Sequence, residues 1–141
     1  MKPPIPVPGL VIRYNYLWDQ EKEEGRTAGR KDRPCAIILY HSKSQDTIVV
    51  PITHSPPEPG EEELSIEVPA ELRRQLGLDD EISWVRMSEV NRFVWPGIHL
   101  RSLPSDPSRF DYGMIPQEFY EEIRARLYQA MMRGRIPSTR R

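Results

Sequence analysis

The sequence predicts a small, mainly β fold, either a barrel or an α+β sheet, with two short helices. About five segments carry that expectation, over residues 10–18, 34–41, 47–53, 64–68 and 82–93, each rich in β-branched and aromatic side chains. They are joined mostly by local turns, with no strand–helix–strand rhythm. Helical spacing is confined to residues 70–76 and to the stretch after Pro116. A chain of 141 residues with 38% hydrophobic content suits one domain around one modest core.

In order along the chain, residues 1–8 alternate proline with apolar residues and read as an extended arm, closed by Gly9. Residues 10–18 form the first strand, followed by a charged loop over 19–32 with a helical turn near 20–24. Residues 34–41 contain the run Cys35-Ala36-Ile37-Ile38-Leu39-Tyr40, a strand buried on both faces. A polar turn over 43–46 leads into the strand 47–53, so the two form a hairpin. Pro51 within it points to an edge or a bulge. Residues 64–68 alternate apolar with polar side chains, as a half-exposed strand does. Pro69 opens a short helix, 70–76, and Gly77 stops it. Residues 82–93 read as one strand region in which Arg86 and Ser88 share one face and Glu89 lies on the other. Residues 95–113 read as irregular. Phe119, Ile123, Leu127 and Ala130 or Met131 then mark an amphipathic helix docked on the sheet, ended by Gly134 and Pro137 with a loose tail beyond. The expected organisation is an arm over 1–8, one domain over 9–133 and a basic tail over 134–141.

The formal net charge is -1, from 20 basic and 21 acidic residues, which argues against a protein that coats nucleic acid by charge alone. The distribution is uneven. Six arginines and no acid lie between Arg124 and Arg141, and Arg26, Arg30, Lys31 and Arg33 cluster in one loop. Such runs are a phosphate-binding patch or ordinary solvated surface. No apolar run reaches the roughly 20 residues that span a bilayer. The first residues lack a continuous apolar stretch of the secretory kind, so the expected location is the cytoplasm, with no membrane partner. The single Cys35 fits that compartment and sits in an apolar run, as a buried inert thiol does.

His41, His54 and His99 lie in no spacing typical of metal ligands, so no metal or cofactor is expected. The suggestive stretch is Gly29-Arg30-Lys31-Asp32-Arg33-Pro34, which leads straight into the buried strand. Pro34 fixes the backbone there and holds Arg33 at a rim, where a guanidinium can grip a phosphate with two hydrogen bonds. An ion pair with Asp32 or another carboxylate is the commoner use of such a residue. The Thr53 hydroxyl, at the end of the hairpin, can hold a phosphate oxygen or cap a turn. His54 beside it can do acid–base work or stand idle at the surface. Arg86, Ser88 and Glu89 add a cation, a hydroxyl and a carboxylate, which suit RNA cleavage by charge stabilisation and proton transfer. Trp84, Phe93 and Trp95 can stack on bases or fill the core, and Trp95, before Pro96-Gly97, is the one expected to be exposed.

Taken in order, these segments resemble the MazF/PemK family. Pro8-Gly9-Leu10-Val11-Ile12 resembles the family's opening strand, with Leu10 in place of aspartate. Gly29 through Pro34, followed by Cys35 to Leu39, resembles its glycine-x-x-x-arginine-proline loop and second strand. Val49-Val50-Pro51-Ile52-Thr53-His54 resembles its proline-isoleucine-threonine strand, and residues 85–92 its later catalytic segment. The resemblance spans residues 8–132. It implies an SH3-like barrel of the MazF/PemK/CcdB type with a C-terminal helix, and a toxin of a type II toxin–antitoxin system that inhibits growth. The implied activity is metal-independent cleavage of single-stranded RNA, mRNA included, by 2′-hydroxyl attack. A homodimer and a cognate antitoxin are the implied protein partners. Arg33 matches the arginine placed at the scissile phosphate and Thr53 the threonine acting with it. Arg86 and Ser88 fall where some members carry an arginine and an aspartate, Glu89 at a glutamine position and Asn91 at an arginine. The catalytic set expected is therefore Arg33, Thr53, Arg86, Ser88 and Glu89, with Arg30, Lys31, His54 and Trp95 on RNA. A different reading is a non-catalytic SH3-like module for RNA or a protein partner, with gyrase poisoning as a minor third.

Overall fold

A computed structural model describes residues 2–134 and 136–141 of the chain. Among the described residues it contains a nine-stranded, largely antiparallel sheet with three α-helices. The first strands are β1 (Leu10–Tyr14), β2 (Arg33–Tyr40) and β3 (Asp46–Thr53), and β1–β2 and β2–β3 pair antiparallel. The second and third make the predicted hairpin. Later strands are β4 (Ser65–Glu67), β5 (Trp84–Arg86), β6 (Val90–Val94), β7 (Leu100–Arg101), β8 (Asp111–Met114) and β9 (Ser138–Arg140). The helices are α1 (Asp19–Glu23), α2 (Ala70–Leu76) and α3 (Gln117–Arg133). None of the described helices is long and apolar enough to cross a membrane.

Two strands each divide one edge between two partners, and this curls the sheet. On one side of β1, Leu10 to Ile12 pair with β8 while Arg13 and Tyr14 pair with β7. On one side of β3, Asp46 to Val49 pair with β6 while Ile52 and Thr53 pair with β5. Pro51 therefore does not mark an edge strand. It lies where β3 changes partner, and its missing N–H interrupts neither of those ladders.

Period-2 alternation divides the buried side chains between two faces. Val11, Ala36, Ile38, Val50 and Ile52 pack with Leu72 and Leu76 of α2 and with Ile123 and Leu127 of α3. Leu10, Ile12, Tyr14, Cys35, Ile37 and Val49 pack with Phe93 and Trp95. Residues 35–38 are thus buried on both faces, as their unbroken apolar run predicts. The register of β2 on β3 shifts between Ile37 and Leu39, and the Ile38 carbonyl accepts a 2.8 Å hydrogen bond from the Tyr120 hydroxyl of α3. A bulge thus docks the helix. The apolar stripe of α3 stops at Ala130, because Met131 is exposed.

Several boundaries differ from expectation. The first strand ends at Tyr14 rather than residue 18, and the 82–93 region is two strands, β5 and β6, separated by residues 87–89. Residues 95–113 hold β7 and the start of β8. The tail is not loose: Ser138 to Arg140 pair in parallel with Val90 to Arg92. This late pairing has no local sequence signal, since three exposed-to-buried-to-exposed positions occur in any coil.

The buried side chain of Asn91 ties β6 to the segment after β1. Its amide donates to the Leu17 carbonyl (2.8 Å) and accepts from the Leu17 N–H (2.9 Å), in the manner of a strand partner. Asn91→Ala leaves both Leu17 groups unpaired in the interior, and unfolding by urea is expected to show a loss of about 3 kcal/mol.

Candidate functional site

The antiparallel register sets Cys35 opposite Pro51 and Ala36 opposite Val50, and just beyond that end of the ladder the side chains of Arg33 and Thr53 meet. The Arg33 guanidinium lies 3.4 Å from the Thr53 hydroxyl. Both line an open cleft of about 560 Å³, together with Trp18, Lys31, His54, Arg86 and Glu89. The hairpin therefore brings together the two residues that the sequence reading paired.

Arg33 has no carboxylate within ion-pair distance among the described residues. Asp32, its neighbour, turns instead to Arg13 (3.8 Å) and Arg101 (3.6 Å). The Arg33 Nε–H is buried and without a partner, and burial draws the guanidinium below its usual pKa. A half-buried cation lacking an anion is costly, and a bound phosphate offsets that cost.

The loop that delivers Arg33 is held at several points. Asn15 accepts from the Gly29 N–H (2.7 Å) and donates to the Gly29 carbonyl (3.1 Å) and to Asp32 (3.0 Å). The buried carboxylate of Glu21 accepts from the N–H groups of Trp18 and Arg30, each at 3.0 Å. Gly29 runs against the backbone here: a Cβ on it would meet the Tyr16 carbonyl oxygen at 1.9 Å. Gly29→Ala must push the loop away, so a loss of about 1–3 kcal/mol in stability and a loss of whatever Arg33 does are expected together.

Trp18 is a site residue that the sequence reading passed over as the end of a strand. The guanidinium of Arg33 lies 5.1 Å from its ring centroid and that of Arg86 5.5 Å. The indole thus fixes both cations by cation–π attraction. Nothing local in the sequence marks it, because the role depends on two residues 15 and 68 positions away.

Glu89 lines the same cleft as Arg86, contrary to the expectation that strand alternation separates them. The strand breaks after Arg86, and residues 87–89 turn before β6 begins. Glu89 accepts from the Asp19 N–H (2.8 Å) and the Tyr16 hydroxyl (3.3 Å) through one oxygen. Burial raises its pKa above the ordinary glutamate value. Ser88 is not on the cleft wall; its hydroxyl accepts from Arg86 Nε at 3.2 Å and orients that guanidinium.

His54 sits at the rim with Nδ1 3.0 Å from the Ile82 carbonyl and Nε2 3.0 Å from Asp79. The carbonyl and the carboxylates of Asp79 and Glu81 favour the imidazolium and raise its pKa. His54, Asp79 and Glu81 are the group among the described residues whose ligand atoms converge, within 4.8 Å, but all are exposed.

Two expected RNA contacts are not in the cleft. Arg30 is turned away and paired to Glu24 (2.8 Å) and Glu21 (3.6 Å). Trp95 is not exposed: it is 5% accessible and packs beside Phe93 in the core. The residues Pro96-Gly97 turn the chain but leave the indole inside, because Trp95, the residue after β6, keeps to the side of the sheet that Phe93 faces. Cys35 is buried, and burial pushes its thiol up, so it is inert.

No protein-family model matches the sequence, and no curated protein matches it significantly. Among solved structures, a chain of an endoribonuclease in complex with its cognate antitoxin from a mycobacterial species is similar, with a TM-score of 0.56. The identity is 13%, over 93% of this chain and 99% of that one. At that identity the likeness is one of fold: the mainly β, barrel-like sheet with a C-terminal helix seen in this chain is similar in overall fold to that chain.

Proposed function

We propose that this protein is an endoribonuclease toxin of a type II toxin–antitoxin system, of the MazF/PemK kind, which cleaves single-stranded RNA without a metal ion. The observation that carries this reading is the Arg33–Thr53 pair, a half-buried guanidinium on the wall of an open cleft, without a counter-charge among the described residues. The similarity in fold to an endoribonuclease supports it. So does the order of motifs in the sequence.

The chemistry follows from the groups in the cleft. Arg33, Thr53 and Lys31 grip the phosphate, and Arg86 stabilises the charge that builds on its oxygens. Glu89, whose raised pKa and free second oxygen suit a base, takes the proton from the 2′-hydroxyl. The 2′-oxygen attacks phosphorus and the bond to the 5′-oxygen breaks, leaving a 2′,3′-cyclic phosphate. His54, whose imidazolium is favoured by the Ile82 carbonyl and by Asp79 and Glu81, gives its proton to the departing 5′-oxygen. Ser88 and Trp18 act as positioning residues for the two guanidinium groups. An acidic antitoxin segment complements the same cations, and a second copy of the chain completes a homodimer.

The test is incubation of the purified protein with a mixed RNA in excess chelator, beside Arg33→Ala, followed by mapping of the new ends. Discrete cuts bearing cyclic phosphate, absent in the variant, are expected. RNA bound but left intact would favour a non-catalytic module. Cuts that vanish with chelator would move the chemistry to the carboxylates around His54.

A further inference from the structure

The strand β9 sends one side chain back to the loop that delivers Arg33. The backbone N–H of Arg141 donates to the Arg92 carbonyl (2.8 Å), which extends the β6–β9 ladder by one residue and fixes where its side chain starts. The guanidinium then spans separate segments of the chain. Its Nη1 donates to the Asn15 carbonyl (2.6 Å) and to the Asn91 amide oxygen (3.2 Å), and its Nη2 donates to the Thr27 carbonyl (3.2 Å). It lies 5.7 Å from the centroid of the Tyr14 ring, so cation–π attraction helps to hold the fork in place. Resting on the ribonuclease reading, we propose that Arg141 is a positioning residue for cleavage, a staple that ties the loop between α1 and β2 to the segment after β1 and so fixes Arg33 at the phosphate.

All three acceptors are uncharged oxygens. A guanidinium placed for its charge takes a carboxylate or a phosphate, whereas one that serves oxygens of different segments is used for the reach and planarity of its fork. Two of those oxygens frame the loop. Thr27 lies within it, and Asn15 is its other anchor, since the Asn15 side chain bonds both backbone groups of Gly29 and reaches Asp32. Arg141 therefore grips the loop directly at Thr27, and through the Asn15 carbonyl it grips the residue that holds Gly29 and Asp32. Asp32 is followed at once by Arg33. Arg141 itself does not line the cleft. It lines a separate hollow with Phe93 and His99, so its influence on cleavage runs through the loop. That influence is large because catalysis tolerates little displacement: a charge-stabilising group misplaced by about 1 Å can cost about 100-fold in rate.

The experiment uses the full chain and two variants. Arg141→Met keeps an apolar stem beside Tyr14 and removes every side-chain donor. Arg140→Ala removes the exposed positive charge next door and none of those contacts, so it controls for charge alone. The first readout is amide hydrogen exchange without RNA. In Arg141→Met the Gly29 and Arg30 amides, which donate to Asn15 and Glu21, are expected to exchange about tenfold faster, the scale of one or two lost hydrogen bonds. The Val90 amide, which donates to the Pro137 carbonyl, should keep its protection and report that β9 is still docked. Arg140→Ala should match the wild type throughout. The second readout is single-turnover cleavage of RNA. Arg141→Met is expected to slow it by about tenfold in the wild-type background and by much less in an Arg33→Ala background, because a displaced loop has then no Arg33 to misplace. If Gly29 and Arg30 keep their wild-type exchange, the staple is refuted while the ribonuclease reading stands. If the Val90 amide opens with them, the strand as a whole holds the loop and the assignment to Arg141 is refuted. A tenfold loss undiminished by Arg33→Ala puts the effect of Arg141 elsewhere and refutes the positioning role. If the wild type cleaves no RNA, the ribonuclease reading falls and the positioning role with it, while faster exchange at Gly29 and Arg30 still establishes the staple.

Discussion

Arg33→Ala is expected to lower RNA cleavage by about 100- to 1,000-fold, the scale of removing one charge-stabilising donor from a catalytic site. It is expected to leave the thermal midpoint almost unchanged. The two results belong together. A structural arginine is held by carboxylates, and its loss strands them. Arg33 has no such partner among the described residues, and its Nε–H is buried and unpaired. What the fold loses is a 3.4 Å contact to Thr53 and the attraction to Trp18, together about 1 kcal/mol. Against that, the fold no longer buries a cation. In cells, growth arrest on expression should be relieved. Arrest undiminished by the substitution would remove Arg33 from the site. Arg33→Lys keeps the charge but not the two-pronged geometry, so it should recover only part of the activity.

Glu89→Gln should separate activity from stability in the opposite sense. The amide oxygen can still accept from the Asp19 N–H and the Tyr16 hydroxyl, so the local backbone is retained. The base is lost, and cleavage should fall by about 100-fold or more. Stability at neutral pH should rise. Burial raises the folded-state pKa of Glu89 above its unfolded value, so ionised Glu89 opposes folding. That penalty is absent below the unfolded-state value near 4.5, grows as pH rises, and is complete above the folded pKa. The stability gained by the glutamine variant should follow the same curve and vanish in acid. A gain that persists below pH 4.5 would assign it to packing. The pH dependence of cleavage carries the matching signature. The rising limb should lie above the ordinary glutamate range, because Glu89 must lose its proton. The falling limb should lie above 6.5, because His54 holds its proton through the Ile82 carbonyl and Asp79. Glu89→Gln should flatten the rising limb alone.

The elements that could be read in advance were those whose cause is local. The helix Ala70–Leu76 begins after Pro69 and ends at Gly77, whose φ of 70° is the left-handed cap that glycine accepts most easily. The 35–38 run is buried on both faces because an unbroken apolar segment has no face to give to water. Arg33 and Thr53 could be paired because one short hairpin fixes their register. Trp95 was misplaced for the same reason that Trp18 was missed. An indole at the end of a strand reads alike whether it turns inward beside Phe93 or outward beneath two guanidinium groups. Glu89 was misassigned because alternation holds only while a strand continues, and β5 stops at Arg86.

By itself, the sequence determined a mainly β fold with a docked C-terminal helix, the hairpin, and the cation and hydroxyl at its open end. Those depend on periodicity, on proline and glycine, and on contacts a few residues apart. The tertiary structure decided which charges remain free. Asp32 goes to Arg13 and Arg101, Arg30 goes to Glu24, and Arg33 is left with no carboxylate among the described residues. It also decided that residues 138–140 extend the sheet beside β6, and that a recess opens next to His54. Each of these is a competition among distant groups for the same partner or the same space, and its outcome is fixed when the chain packs.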